Sequence, residues 1–212
     1  MTTRSVIIAG ATGLVGREIL GGLLADDTVG EVNALGRKAP AFQHPKLRVH
    51  LVDFARLPPL PNADEVYLAL GTTIKVAGSQ EAFRALDHDA NLAVARAALA
   101  SGAKKAGLVS AMGADPHSRV FYSRVKGELE EVLRQMPFDG LVIARPSLLV
   151  GDREALGQPS RPGEHVGLAV SKVLGFLIPA NYKPIEAKTV AHALLSAVPS
   201  AKGSKVLLSG SM

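Results

Sequence analysis

The chain contains no cysteine, which excludes disulfides, thiolate metal sites and cysteine nucleophiles. Tryptophan is absent as well, and 6 Phe and 3 Tyr are few in 212 residues. The 6 His are scattered, with no H-x-x-H or H-E-x-x-H, so no metal site is expected. Neither a P-loop Gly-Lys-Ser/Thr nor a G-x-S-x-G nucleophile elbow occurs. Long hydrophobic runs are missing too: the most apolar late stretch, residues 166–180, is interrupted by Lys172 and too short to span a bilayer. Met1-Thr2-Thr3-Arg4 runs straight into the first apolar segment without a recognisable signal peptide, so a cytoplasmic protein with no stable membrane insertion is expected. The net charge of +5 comes from 24 basic and 19 acidic residues dispersed among one another. No basic run with interleaved aromatics appears, so a nucleic-acid partner is not expected, whereas a mildly positive surface suits a polyanionic cofactor.

What is present is apolar and small. Hydrophobic residues make up 47% of the chain and Gly numbers 21, a composition suited to a parallel sheet flanked by close helices. The length fits a single domain, residues 1–212. Apolar runs predict strands at residues 6–9, 31–35, 47–52, 65–70, 106–110, 140–144 and 205–208. Between them lie helical patterns. One begins at Leu14 with Val15, Ile19, Leu20, Leu23 and Leu24 on its apolar stripe. Others cover residues 80–100, 117–136 (Phe121, Val125, Leu129, Val132 and Met136 inward) and 189–198. Strands alternating with helices at this spacing predict an α/β protein with a doubly wound, mostly parallel sheet, the Rossmann fold. Residues 151–185 break the rhythm and suggest a substrate pocket or lid, with Arg153, Arg161, His165, Asn181, Tyr182 and Lys183 as polar candidates.

The first strand leads directly into Gly10-Ala11-Thr12-Gly13-Leu14-Val15-Gly16, a G-x-x-G-x-x-G turn that opens a helix. Strand, glycine turn and helix start form the local geometry that receives a dinucleotide pyrophosphate on helix N–H groups. Gly10, Thr12, Gly13, Leu14, Val15 and Gly16 are therefore the candidate phosphate contacts. NAD-preferring sites place an Asp or Glu at the end of the second strand to bind the adenosine ribose. Here Leu35-Gly36-Arg37-Lys38 supplies two cations and no carboxylate, which favours NADPH over NADH, because a guanidinium matches a 2′-phosphate. Asp53, just past the third strand, is placed either to accept from the adenine amino group or to cap its own turn. Gly71-Thr72-Thr73, after the fourth strand, lies where a loop would pass over the cofactor.

Tyr122 and Lys126 stand four apart on one predicted helix and so share a face. Ser110, twelve residues before Tyr122, ends the fifth strand on the carboxyl edge where ligands bind in such sheets. A phenol is a poor acid–base at neutral pH, and a neighbouring ammonium stabilises its anion. Tyr122 thus reads as a proton donor, Lys126 as its tuning group and Ser110 as the hydroxyl that holds a substrate oxygen. The alternative is that Lys126 pairs at the surface with Glu130, also four residues on. Asp87 and Asp89, two apart on a helix, point away from each other and suggest no joint chemistry.

With Gly10/Gly13/Gly16, Asp53, Asn91, Ser110, Tyr122 and Lys126 in this order, the chain resembles the short-chain dehydrogenase/reductase superfamily over residues 5–150. Gly-Ala-Thr-Gly in the turn, Val109-Ser110-Ala111-Met112-Gly113-Ala114, Tyr122-Ser123-Arg124-Val125-Lys126-Gly127-Glu128 and Arg145-Pro146-Ser147 resemble the small atypical group related to the Tat-interacting protein. The resemblance implies an NADPH-dependent oxidoreductase moving hydride to or from a small carbonyl or alcohol. It implies that Lys126 also binds the nicotinamide ribose, that Asn91 supports a proton relay and that Pro146 runs along the nicotinamide. A homodimer through the Tyr122 helix is common in such proteins. Two other functions share these motifs: a nucleotide-sugar epimerase-like enzyme, and a non-enzymatic NADPH-binding sensor or scaffold.

Overall fold

Residues 3–41, 43–150 and 179–212 are described by a computed structural model. Nearly continuous apolar runs become the inner strands of the sheet, buried on both faces, while the two edge strands are largely exposed. β1 (Arg4–Ala9), β2 (Val29–Gly36), β3 (Leu47–Leu51), β4 (Glu65–Leu68), β5 (Lys105–Val109), β6 (Gly140–Arg145) and a last strand at Gly203–Leu208 form one sheet in which every neighbouring pair is parallel. Two-residue strands β7 (Leu149–Val150) and β8 (Ile185–Glu186) pair separately, so the last strand is β9, and the sheet order is β3-β2-β1-β4-β5-β6-β9. This is the doubly wound arrangement that the alternation of elements predicts.

Side-chain alternation along β1 shows why both faces are covered. Val6 and Ile8 join one apolar cluster with Leu20 and Leu23 of α1 (Leu14–Ala25) and Val190 and Leu194 of α6 (Ala187–Ala197). Ile7 and Ala9 point the other way, into a cluster with Val94 of α4 (Asn91–Ala100) and Leu129 and Leu133 of α5 (Phe121–Gln135). Period-two alternation on a strand thus divides the core between two helical layers.

The chain leaves β1 for β2 on one side and crosses to β4 on the other, which makes the carboxyl edge between β1 and β4 the point where strand order reverses. There the backbones close on one another: Ala69 N–H donates to the Ala9 carbonyl at 2.9 Å. The switch point sets the position of the candidate site.

Three differences from expectation have physical causes. The helix expected over residues 80–100 is α3 (Gln80–Arg84), a π-turn (Ala85–Ala90) and α4 in succession. It follows a four-residue α2 (Ile74–Ala77), whose amino end is capped by Thr73 Oγ1 accepting from Val76 N–H at 3.1 Å. An element of one turn leaves no periodic signal, and a π-turn keeps helical composition. The inward face of α5 is Val125, Leu129 and Leu133 together with Lys126 and Glu130, whereas Phe121, Val132 and Met136 are only partly buried. Hydropathy assigns charged residues to solvent, and here two of them face the sheet. Most of the expected excursion, residues 151–178 with Arg153, Arg161 and His165, lies outside the described residues. Among the described residues no helix is long and apolar enough to cross a membrane.

One substitution repeated on α1 separates packing from helix propensity. A Cβ on Gly16 would stand 2.0 Å from the Gly10 carbonyl oxygen, while one on exposed Gly21 would meet nothing within 4 Å. Gly16→Ala is expected to destabilise the fold by about 2–3 kcal/mol through forced displacement of α1. Gly21→Ala is expected to stabilise it by roughly 0.5–1 kcal/mol. Urea unfolding midpoints of the two variants check the opposite signs.

Candidate cofactor and catalytic site

The glycine turn is built by exclusion. Gly10 has φ +90°, and a Cβ there would lie 2.4 Å from the Ala69 carbonyl oxygen, so neither the conformation nor the space admits a side chain. Gly13 N–H closes the turn on the Gly10 carbonyl at 2.9 Å. Gly13 then stands as the N-cap of α1 with no side chain to cap it, and the first turn carries no acid. The N–H groups of Leu14, Val15 and Gly16 therefore open α1 uncapped by any side chain, with exposed Thr12 at the tip of the turn. This bare, positively polarised helix end fits a pyrophosphate.

Arg37 and Lys38 are exposed immediately past the end of β2, on the same carboxyl edge. Asp53 is exposed, and its Oδ1 accepts from Ala55 N–H at 3.0 Å, so one of its oxygens takes the turn-capping role. In the loop after β4, Thr73 commits its hydroxyl oxygen to capping α2, while Thr72 N–H donates to Asp87 Oδ2 at 2.8 Å.

Asp87, on the π-turn, is the partner of Lys126. Its Oδ1 lies 2.7 Å from Lys126 Nζ, with the Asp87 and Lys126 side chains only 1% and 6% exposed. The alternative of a surface pair between Lys126 and Glu130 is thereby set aside: Lys126 is buried, and a carboxylate from another element meets it. Burial acts to lower the Lys126 pKa, but attraction from Asp87, then Tyr122, the hydrogen bond to Asp87 and attraction from Glu130 together raise it above the ordinary lysine value. The ammonium stays charged. Gly71 lies over the pair, where a Cβ would be 3.5 Å from Asp87 Oδ1 and 3.8 Å from Lys126 Nζ. Tyr122, one helical turn before Lys126, stacks obliquely on Phe83 of α3 with ring centroids 5.4 Å apart.

Ser110 is buried at the end of β5, and its hydroxyl donates to Glu130 Oε1 at 2.5 Å. Glu130 is fully buried and also receives Arg145 in a two-pronged bond (Nε to Oε1 2.9 Å, Nη2 to Oε2 2.7 Å) and Arg134 Nη2 at 2.8 Å. These bonds hold the Ser110 hydroxyl against Glu130; to donate to a carbonyl it must turn away from Glu130. Pro146, next to Arg145, is buried, and its carbonyl accepts from Met112 N–H at 2.8 Å. Asn91 is fully buried: its Nδ2 donates to the Leu70 and Asp87 carbonyls at 3.0 Å each, and its Oδ1 meets no donor among the described residues. Asn181, considered for the substrate pocket, instead accepts from Gly210 N–H through its Oδ1 at 3.1 Å, and Lys183 offers its carbonyl to the Ser147 hydroxyl.

Sequence reading assigned Asp87 no role and saw Glu130 only as a surface partner. Two spacings carried the signal. Asp87 precedes Asn91 by four residues and Glu130 follows Lys126 by four, each pair on one helix face. Among the described residues no cluster of His, Asp and Glu could hold a metal.

No protein-family model matches the chain. It is 36% identical over 184 residues to Protein fmp52, mitochondrial, of Emericella nidulans, covering 81% of this chain and 76% of that one. It is 36% identical over 171 residues to Protein HTATIP2 of Rattus norvegicus, covering 77% and 69%. The fold matches that of MoeE5 in complex with UDP-glucose and NAD with a TM-score of 0.71 at 16% identity, over 96% of this chain and 75% of that one. The expectation of a cytoplasmic protein is overturned by the first of these relatives and its counterparts in other fungi, which are named mitochondrial.

Removing either partner of the Lys126–Asp87 pair strands a buried charge. Lys126→Met and Asp87→Leu are each expected to destabilise by about 3–5 kcal/mol, and the double variant by much less than their sum. Because its folded pKa is raised, Lys126 contributes stability fully present below its ordinary pKa of 10.5 and lost as pH rises through the raised value. Urea unfolding of the three variants and of the parent, at neutral and strongly alkaline pH, measures both effects.

Proposed function

Because the chain belongs to the family of the FMP52 and HTATIP2 proteins, we propose that it is an NADPH-dependent oxidoreductase interconverting a small carbonyl compound and its alcohol. The observation that carries this reading is the charged, buried Lys126, one turn from Tyr122 and beneath the Gly71 loop at the strand-order switch.

The uncapped amides of Leu14, Val15 and Gly16, with the positive end of α1, would hold the pyrophosphate. Arg37 and Lys38 would meet the 2′-phosphate, and Asp53 would offer its second oxygen to the adenine amino group. Gly71, Thr72 and Thr73 would border the nicotinamide half, with Pro146 on its other side. When bound, the dinucleotide supplies hydride chemistry. Tyr122 would give its hydroxyl proton to the substrate oxygen in reduction and take it back in oxidation. Lys126 would stabilise the resulting phenolate and bind ribose hydroxyls through its remaining N–H bonds. Ser110 would turn its hydroxyl from Glu130 to donate to the substrate oxygen and so orient it. Asn91, with an acceptor oxygen buried nearby in the fold, would support the relay that refills Tyr122.

Fluorescence titration of cofactor-free protein with NADPH and NADH in parallel tests the reading. NADPH is expected to bind about tenfold or more tightly than NADH, with the preference lost in Arg37→Ala. Equal or tighter NADH binding removes the NADPH assignment, and tightly retained NAD would favour the epimerase-like alternative. In a carbonyl screen, Tyr122→Phe is expected to lower kcat about 10²–10⁴-fold with little change in NADPH affinity.

A further inference from the structure

Two independent links tie the π-turn and the first residue of α4 to the loop after β4. Asn91 Nδ2 donates to the Leu70 carbonyl, and Thr72 N–H donates to Asp87 Oδ2. A third link runs from the same Asp87 carboxylate, through its other oxygen, to Lys126 on α5. One side chain therefore joins the loop bordering the cofactor site to the helix that carries Tyr122 and Lys126. A π-turn inserts an extra residue into a helix at a packing penalty and recurs at functional sites. Here it brings a carboxylate onto the buried face.

We infer that Asp87 is the positioning residue of the site: it fixes the Lys126 ammonium against the Thr72 amide, so that the lysine and the Gly71-Thr72 loop present one preorganised surface to the nicotinamide ribose. This rests on the reading of Lys126 as the ribose-binding cation. Asp87 itself touches neither substrate nor cofactor; it acts through Lys126. Oδ2 accepts from the Thr72 amide while Oδ1 faces the ammonium, and that counter-charge is what an amide could not supply. An Asn could still accept from Thr72 N–H but would leave the buried ammonium without a counter-charge. Among the described residues the titratable groups facing Lys126 are Asp87 from the π-turn and Tyr122 and Glu130 from its own helix, and the loop brings Gly71 near its ammonium. Without Asp87, burial opposes a charge that has lost its nearest counter-ion, so the Lys126 pKa is expected to fall.

The test compares NADPH with 2′,5′-ADP, which carries the adenosine half alone. In Asp87→Asn, NADPH is expected to bind about tenfold more weakly. The deficit is expected to widen between about pH 7 and about pH 9, with 2′,5′-ADP unaffected. Unchanged NADPH binding at both pH values, or an equal loss for both ligands, overturns the inference. Since a buried charge is at stake, a second comparison uses Lys126→Met with and without Asp87→Asn. No further loss of NADPH affinity is expected in the double variant, and a further tenfold loss would show that Asp87 does not act through Lys126. A cofactor-free readout is acetylation of Lys126 by acetic anhydride, followed by mass spectrometry. Only the neutral amine reacts, so labelling is expected to rise in Asp87→Asn, and unchanged labelling overturns the inference. If the parent binds neither nucleotide while labelling rises, the NADPH reading fails and the positioning of Lys126 by Asp87 stands.

Discussion

Everything in this fold converges on the absence of a side chain at Gly10. The carbonyl of Ala69 comes within 2.4 Å of where a Cβ would sit, and Gly16 brings α1 onto the same turn from the other side. Three backbones, from β1, from the segment after β4 and from α1, thus meet with no room for an added carbon. That close approach seats α1 against the sheet, aims its uncapped N–H groups at the carboxyl edge and carries the chain from β4 into the Gly71 loop. The apolar clusters on the two faces then hold the helices in place, but the contact at Gly10 decides where the phosphate-binding end stands relative to the strands.

Around that turn the site is held by buried charge rather than by hydrophobic packing alone. Two carboxylates, Asp87 and Glu130, are each fully or almost fully withdrawn from water, and each gathers partners from separate elements. Asp87 joins the π-turn, the loop after β4 and α5. Glu130 joins α5 to the ends of β5 and β6 through Ser110 and Arg145. A hydrogen bond to Glu130 outweighs partial burial and raises the Arg145 pKa, so that this bridge too remains ionic. Buried ion pairs are weak stabilisers against apolar replacements but strict about geometry, because a misplaced partner leaves an uncompensated charge. Such pairs suit a site whose groups must be placed within a fraction of an ångström.

The fungal FMP52 relatives, with which the chain shares about a third of its residues over the matched stretch, are named mitochondrial. The shared fold with MoeE5 is a fact of topology at 16% identity and says nothing of substrate. Chemistry has to be argued from Tyr122, Lys126 and Ser110, and from the two carboxylates that arrange them.

Sequence by itself determined the order and type of most elements and the location of the glycine turn. Apolar periodicity and the G-x-x-G-x-x-G spacing are local properties, expressed within a few residues of chain. It also put Ser110 at the end of a strand and Tyr122 and Lys126 on one helix, since strand ends and helix faces follow from that periodicity. It left an exposed pair of Lys126 with Glu130 as the alternative, because hydropathy gives charge to solvent. Only tertiary structure decided that both are buried, that Lys126 meets Asp87 from a π-turn about 40 residues away and that Ser110 gives its proton to Glu130. Counter-charges supplied by distant segments make such burial stable, and no local pattern records which segment the fold will bring there.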